Sequence, residues 1–249
     1  MNLPSVAVIT PTTNHDCLVD AYESVKNQDY KGPLTHYIVY DGEESAANKA
    51  DWKDPHLEIW TIPKATGMAG HLGHRIYAAM TFLIHDADYL VFLDEDNFFD
   101  ANHISSLVAS IEETQATWAF SLRKIINQDK SFICEDNCES LGPFVNYHEA
   151  RGSEIKLIDV NCYMLPRSLA IEAAPLWERK AQDSILLDID RTLAMILIQG
   201  FPCSCTGEYT VNYRLGSRKS SAAEIFFLEG NEYMRSKYGN EEKFPWKIK

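Results

Sequence analysis

Tyr89-Leu90-Val91-Phe92-Leu93-Asp94-Glu95-Asp96-Asn97 decides how the chain is read. Its first five residues are an unbroken run of apolar strand formers, the pattern of a strand covered on both faces within a parallel sheet. Three carboxylates in succession then repel one another, and a positive charge is needed to offset the repulsion. A hard divalent cation does this best, because Mg²⁺ or Mn²⁺ rests on one or two carboxylates and takes the rest of its ligands from substrate phosphates. Ligand sites of open α/β sheets lie beyond the carboxyl ends of the strands, where this cluster falls. An ordinary solvated acidic turn is the competing reading.

Upstream, Ser5 to Thr10 is a β-branched run that Pro11 is expected to stop, followed by the polar loop Thr12, Thr13, Asn14. Leu18, Ala21, Tyr22 and Val25 recur at helical spacing, with Asn14 or Asp16 as the expected N-cap. Such a loop also presents hydroxyls and backbone N–H groups to a docking nucleotide. His36 to Tyr40 reads as a second strand ending in Asp41-Gly42, where a carboxylate can accept from a base or ribose, although Asp-Gly also simply makes a turn. Leu57 to Ile62 is a third strand, stopped by Pro63. Gly67, Gly70 and Gly73 then form a flexible entry into a helix whose apolar face is Leu72, Ile76, Ala79, Met80 and Leu83. His71 and Arg75, four apart, share one side of that helix. They either face a diphosphate held at Asp94 to Asp96 or are merely solvated.

Downstream, Ile104, Leu107, Val108 and Ile111 mark another helix, and Trp118 to Leu122 a strand with Arg123 and Lys124 at its end. Residues 127–153 are polar with scattered aromatics and suit a loop or hairpin over a site. Lys156 to Leu165 reads as a strand ended by Pro166, with a short helix from Arg167 to Ala174. Asp183, Asp188 and Asp190 precede a helix of Leu193, Ala194, Ile196 and Leu197 that ends at Gly200 with Pro202 beyond. These acids either complement the helix dipole or include a general base. Tyr209 to Tyr213 is a further strand, before the basic Arg214, Arg218 and Lys219 and a helical tail around Ile225 to Leu228. With no repeat, low-complexity tract or linker, the expectation is one domain over 1–249.

The chain has 249 residues, 45% hydrophobic and 24% charged, which describes a globular α/β protein with a sizeable core. A net charge of −13 argues against a nucleic-acid partner. No apolar run reaches the roughly 20 residues of a membrane-spanning helix, and the opening strand leaves no signal-like segment, so the expected location is cytoplasmic. Cys17, Cys134, Cys138, Cys162, Cys203 and Cys205 are then expected to be reduced; the spacings of Cys134, Cys138, Cys203 and Cys205 do not match a zinc knuckle.

The order of parts resembles the inverting glycosyltransferases of the GT-A fold, family 2. The resemblance is carried by Val8-Ile9-Thr10-Pro11-Thr12-Thr13-Asn14, the Asp41-Gly42 turn, the Gly-rich segment into His74-Arg75, and Leu93-Asp94-Glu95-Asp96 in the place of the family's DxD motif. It implies a Rossmann-like α/β domain with a mostly parallel central sheet flanked by helices, residues 1–100 forming a nucleotide-binding half and 101–249 an acceptor-binding half. It also implies a nucleotide-diphospho-sugar donor and a glycan, lipid or protein hydroxyl as acceptor. Asp41 would contact the base, while Thr10, Pro11, Thr12, Asn14, Gly67, His71, His74, Arg75, Asp94 and Glu95 would lie along the donor. Asp94 and Asp96 would hold Mn²⁺ or Mg²⁺, and Arg214 or Arg218 would join Arg75 in placing positive charge around the diphosphate. Asp190 or Asp188 would be the base; they stand 10 and 12 residues before Gly200, and the family's Glu-Asp dipeptide is absent. Two other readings compete. A sugar-phosphate nucleotidyltransferase would want a basic, Gly-rich loop where Pro11 to Asp16 has no Gly, Lys or Arg. A non-catalytic carbohydrate-binding protein would keep the fold without the chemistry.

Overall fold

A computed structural model describes residues 3–47, 49–67, 71–153, 155–178, 189–216 and 223–247. The first half alternates strand and helix: β1 (Val6–Thr12), α1 (Leu18–Lys26), β2 (Leu34–Asp41), β3 (Leu57–Ile62), α2 (His74–Leu83) and β4 (Tyr89–Phe92). The short β5 (Phe98–Phe99), α3 (His103–Thr114), β6 (Trp118–Ile126), β7 (Phe132–Glu135) and α4 (Tyr147–Ala150) follow. Then come β8 (Tyr163–Pro166), α5 (Arg167–Ala173), α6 (Ile189–Gly200), β9 (Cys203–Arg214) and α7 (Glu224–Tyr238). All nine described strands join one sheet in the order β3-β2-β1-β4-β8-β6-β9-β5, with β7 hydrogen-bonded to β6. The long pairings, β1 with β2 and β4, β2 with β3, and β6 with β9, are parallel; β8 enters antiparallel between β4 and β6 and welds the two halves together.

Helices α1 and α3 bury the faces their periodicity marks, Leu18, Ala21, Tyr22 and Val25 on the first and Ile104, Leu107, Val108 and Ile111 on the second. Of the face marked for α2 only Ile76 and Met80 are buried, joined by Tyr77, while Ala79 and Leu83 are exposed and Leu72, also exposed, precedes the helix. One apolar core runs from Val6 to Trp246 through both halves. Outside it, Tyr22 stacks on Trp52 at 4.2 Å beside Ile38 and Tyr40.

Several boundaries differ from expectation. Pro11 does not stop β1, which continues to Thr12. Pairing with β4 ends at Ile9, so the missing N–H of Pro11 faces a flank where the ladder is already over. Neither Asn14 nor Asp16 caps α1; the helix begins after Cys17, and Asn14 sits at φ 69° in a loop folded around Glu95. Lys156 to Leu165 is not one strand. Asp159 accepts the backbone N–H of Asn161 and nucleates a 3-10 turn over Val160–Cys162, leaving only Tyr163–Pro166 to pair. Arg123 does not end β6 but lies inside it, buried. Within 127–153, Phe132–Glu135 returns along β6 and a capping box of Asn146 and Glu149 starts a short helical turn. The C-terminal strand and helix run well beyond Tyr209–Tyr213 and Ile225–Leu228.

Candidate functional site

A cavity of about 500 Å³ opens beyond the carboxyl ends of β1, β2 and β4. Pro11, Thr12, Asp41, Gly67, Asp94, Glu95 and Asp96, all expected site residues, line it together with Thr13, His15, Ser45 and Leu72. The backbone N–H of Leu93 bonds Ile9 O at 2.9 Å and prolongs β4, so the acidic turn begins where the sheet stops.

The three acids do different things. Asp94 accepts the Tyr77 hydroxyl at 2.9 Å and gives its own backbone N–H to Asn161 Oδ1 at 2.6 Å. Glu95 turns back onto the first loop. It accepts from the hydroxyl of Thr12 (2.5 Å), the backbone and hydroxyl of Thr13 (3.0 and 2.9 Å) and the backbone of His15 (3.1 Å). Asp96, 9% exposed, faces the cavity and accepts no hydrogen bond among the described residues.

Asp41 anchors the Gly-rich segment: its Oδ1 accepts from the backbone and hydroxyl of Thr66 at 2.6 and 2.9 Å, and its Oδ2 from the Gly67 backbone at 2.8 Å. A Cβ at Gly67 would lie 2.5 Å from Leu72 O and 3.0 Å from Asp41 Oδ2, so only glycine closes this turn without displacing it. Gly70, Asp183, Asp188, Arg218 and Lys219 lie outside the described residues.

Other expected site residues do not line the cavity. Thr10 is wholly buried with its hydroxyl 2.8 Å from His36 Nε2, on the far side of the strand's pleat from Pro11. Asn14 serves the loop, its backbone N–H bonding the Thr12 hydroxyl at 2.8 Å. Arg75 grips Glu178 through Nε and a terminal nitrogen at 2.7 Å each, reaches Thr66 O at 3.2 Å and lies 3.1 Å from His71 Nε2. His71 and Arg75 do not share a helix face, because α2 begins only at His74 and His71 stands in the turn before it; the two side chains meet across that turn, with the guanidinium turned to Glu178. His74 stacks on Trp177 at 5.5 Å and brings Nε2 to 3.4 Å from Asp190 Oδ1. Arg214 is also buried and does not line the cavity, donating to Asp20 at 2.8 Å and to the Cys17 sulfur.

Two features have no local sequence signal. Asn161 contacts Asp94 from 67 positions away. Arg123, inside β6, ion-pairs Asp136, Glu139 and Asp159 at 2.8, 2.6 and 2.5 Å, its guanidinium 4.4 Å from the Tyr213 ring centre. Burial pushes the Glu139 carboxyl up, but His148, Arg123 and Arg191 together outweigh it and hold the group at about 2. Asp159 is raised, burial outweighing Arg123.

The sequence profile described as glycosyl transferase family 2 matches residues 7–170. The chain belongs to glycosyl transferase family 2. Solved structures add the fold of this family 2 chain. The crystal structure of S. aureus TarS 1-349 superposes with a TM-score of 0.56 at 13% identity, covering 84% of this chain and 60% of that one. TarS 1-349 in complex with UDP-GlcNAc gives 0.57 at 12% identity (95% and 67% covered), and in complex with UDP 0.55 at 12% (98% and 75%). The family 2 chain thus spans about three-fifths of the first of these structures. A search of curated protein sequences gives no match. No described helix is long and apolar enough to cross a membrane.

Proposed function

We propose that this family 2 chain transfers a sugar from a nucleotide-diphospho-sugar to an acceptor hydroxyl, with inversion and with a divalent cation at the acidic turn. The observation that carries the proposal is the cavity at the strand ends, walled by Asp41 and the Gly67 turn on one side and by Asp94 and Asp96 on the other. Its volume suits a ligand of nucleotide size, and UDP and UDP-GlcNAc are what the TarS structures of the same fold hold.

The donor set fits a hard cation of the Mg²⁺ or Mn²⁺ kind. Among the described residues no three His, Cys, Asp or Glu side chains converge to hold an ion unaided. The oxygens of Asp96, unpaired toward the cavity, and of Asp94 would supply two anchors and a diphosphate the others. When bound, the cation neutralises the departing nucleoside diphosphate as a Lewis acid. The remaining work belongs to side chains. Glu95 fixes the Thr12–His15 loop against the nucleotide, and Asp41 fixes the turn that closes over it. Asp190, or else Asp188, takes the proton from the acceptor hydroxyl as its oxygen attacks the anomeric carbon opposite the leaving group. Acceptors on a glycan, a lipid or a protein would all meet the same base. The proposal includes a cytoplasmic location, a compartment that keeps free thiols such as these six reduced.

The test is a thermal-shift panel of nucleoside diphosphates and sugar nucleotides with and without Mn²⁺, joined to an assay for slow donor hydrolysis. Selective stabilisation that grows with Mn²⁺, with sugar released to water, is expected. No shift with any nucleotide overturns the reading, and binding without hydrolysis or transfer reduces the protein to a carbohydrate-nucleotide binder.

A further inference from the structure

We infer that Asn161 is a positioning residue that fixes the Asp94 carboxylate for its work in the donor site, an inference that rests on the donor-site reading above. Asn161 is wholly buried, and both ends of its amide are used. Oδ1 accepts the Asp94 backbone N–H at 2.6 Å, and Nδ2 donates to Asp94 Oδ2 at 3.3 Å and to Asp159 Oδ1 at 2.6 Å. Asp159 Oδ1 also accepts the Asn161 backbone N–H at 3.0 Å, and Asp159 Oδ2 is bound by Arg123 at 2.5 Å. From the opposite side the Tyr77 hydroxyl holds Asp94 Oδ1 at 2.9 Å. Among the described residues the Asp94 carboxylate is therefore held on both oxygens, by a phenol from α2 and by an amide whose own place is set by the Arg123 ion cluster. Asp94 also lines the cavity, and an ionised carboxylate has about four acceptor sites over its two oxygens.

The residue type follows from the demands of the place. The first backbone N–H past a buried strand needs an acceptor, and the carboxylate beside it needs a donor. An amide offers both on adjacent atoms. Aspartate at 161 would offer only acceptors and add a third carboxylate between Asp94 and Asp159, and alanine would leave both Asp94 groups unserved. Through this side chain, residues of the acceptor half set the orientation of a carboxylate in the donor half. Side chains that orient a ligating carboxylate typically change metal affinity 10–100-fold when removed.

The experiment is calorimetric titration of UDP, with and without Mn²⁺, into the wild-type chain and into Asn161→Ala, Tyr77→Phe and the double variant, each with its melting midpoint. Asn161→Ala is expected to cut the Mn²⁺-dependent gain in UDP affinity about 10–100-fold, while metal-free UDP affinity stays within about threefold. Tyr77→Phe should lose less, and the double variant less than the sum, because both residues act on one carboxylate. Asn161→Asp, which keeps the shape and the acceptor, should show the same loss and decides the matter where alanine does not give a folded chain. An Mn²⁺ gain equal to wild type in both position-161 variants, or equal losses with and without Mn²⁺, overturns the inference and leaves the donor site standing. Failure of the wild-type chain itself to bind UDP more tightly with Mn²⁺ removes the cation reading on which the inference rests.

Discussion

The imidazole of His74 and the carboxylate of Asp190 meet at 3.4 Å, joining the first turn of α2 to the first turn of α6. His74 cannot swing clear, because its ring is stacked on Trp177. Asp190 thus lies beside an imidazole whose ring is fixed by that stacking. Asp190→Asn should lower turnover by about 10²–10⁴, the usual worth of a general base, with UDP affinity within about threefold of wild type. Steady-state transfer kinetics beside UDP calorimetry check this. Undiminished turnover passes the role to Asp188.

Asp96 predicts a split between stability and activity. Its carboxylate is nearly buried and takes no hydrogen bond among the described residues, so it burdens the fold unless a ligand comes to it. Asp96→Ala should leave the melting midpoint unchanged or raise it, while transfer falls by two to three orders of magnitude, roughly the cost of one preorganised electrostatic contact. The Mn²⁺-dependent thermal shift should vanish in the same variant. A large drop in melting midpoint would mean that Asp96 holds the fold.

Glu95 predicts the opposite. Four donors from Thr12, Thr13 and His15 converge on it, and bonds to a charged acceptor are worth about 1.5–3 kcal/mol each when measured singly. On the net worth of even one such bond, Glu95→Ala should lower the melting midpoint by roughly 3–12 °C, at about 2–4 °C per kcal/mol for a chain of this size. Nucleotide affinity should fall with or without Mn²⁺, since the loop, and not the cation, has been lost. Limited proteolysis between Thr12 and His15 would report the released loop directly.

The contrast between these neighbours shows what was legible in the sequence. The apolar run to Leu93 placed the strand, its end placed the cluster, and helical periodicity placed α1 to α3. Three adjacent carboxylates read as one charged group. In a tight turn, successive side chains point in different directions, and only the loops packed around Asp94, Glu95 and Asp96 decide which faces a cavity. Arg123 was misplaced for a related reason: a charged residue after an apolar run looks like a strand end unless its partners are known. Asp136, Glu139 and Asp159 come from two later segments. Asn161 carries no local pattern, because its meaning depends on β8 sliding in beside β4.

Two buried histidines should make the protein acid-sensitive well above the carboxylate range. Burial lowers His36 and His103 from 6.5 to about 3 each. Both are neutral in the folded chain at pH 5, where the unfolded chain binds protons on them. Stability is therefore fully present above pH 6.5 and is lost as pH falls toward 3, at about 1.4 kcal/mol per pH unit for each group. His103, whose Nδ1 lies 2.7 Å from the Thr210 hydroxyl, is the one to replace. In His103→Gln the fall of melting midpoint between pH 6 and 4 should be shallower by about half. A wild-type midpoint flat over that interval would show that neither imidazole is held neutral.

The Arg123 cluster gives a prediction whose size shrinks as pH falls. Arg123→Met leaves Asp136, Glu139 and Asp159 buried without their shared cation, and breaking a buried ion pair in this way costs about 3–5 kcal/mol. At neutral pH the melting midpoint should drop by roughly 6–20 °C. In the wild type, Glu139 is lowered from 4.5 to about 2, so its contribution is present above pH 4.5 and is lost as pH falls through 2. In the variant the lowering influence of Arg123 is gone: Asp159, already raised by burial, rises further, and Glu139 keeps only His148 and Arg191 against its burial. A raised acid regains stability as pH falls because the folded chain takes up the proton first. The gap between the two chains should therefore narrow steadily from pH 6 to pH 3. Arg123→Lys restores the charge but not the three-way fork and should fall between them. Parallel melting curves across that range would mean that the three carboxylates do not depend on Arg123, and the chain of contacts running from Arg123 through Asp159 and Asn161 to Asp94 would lose its anchor.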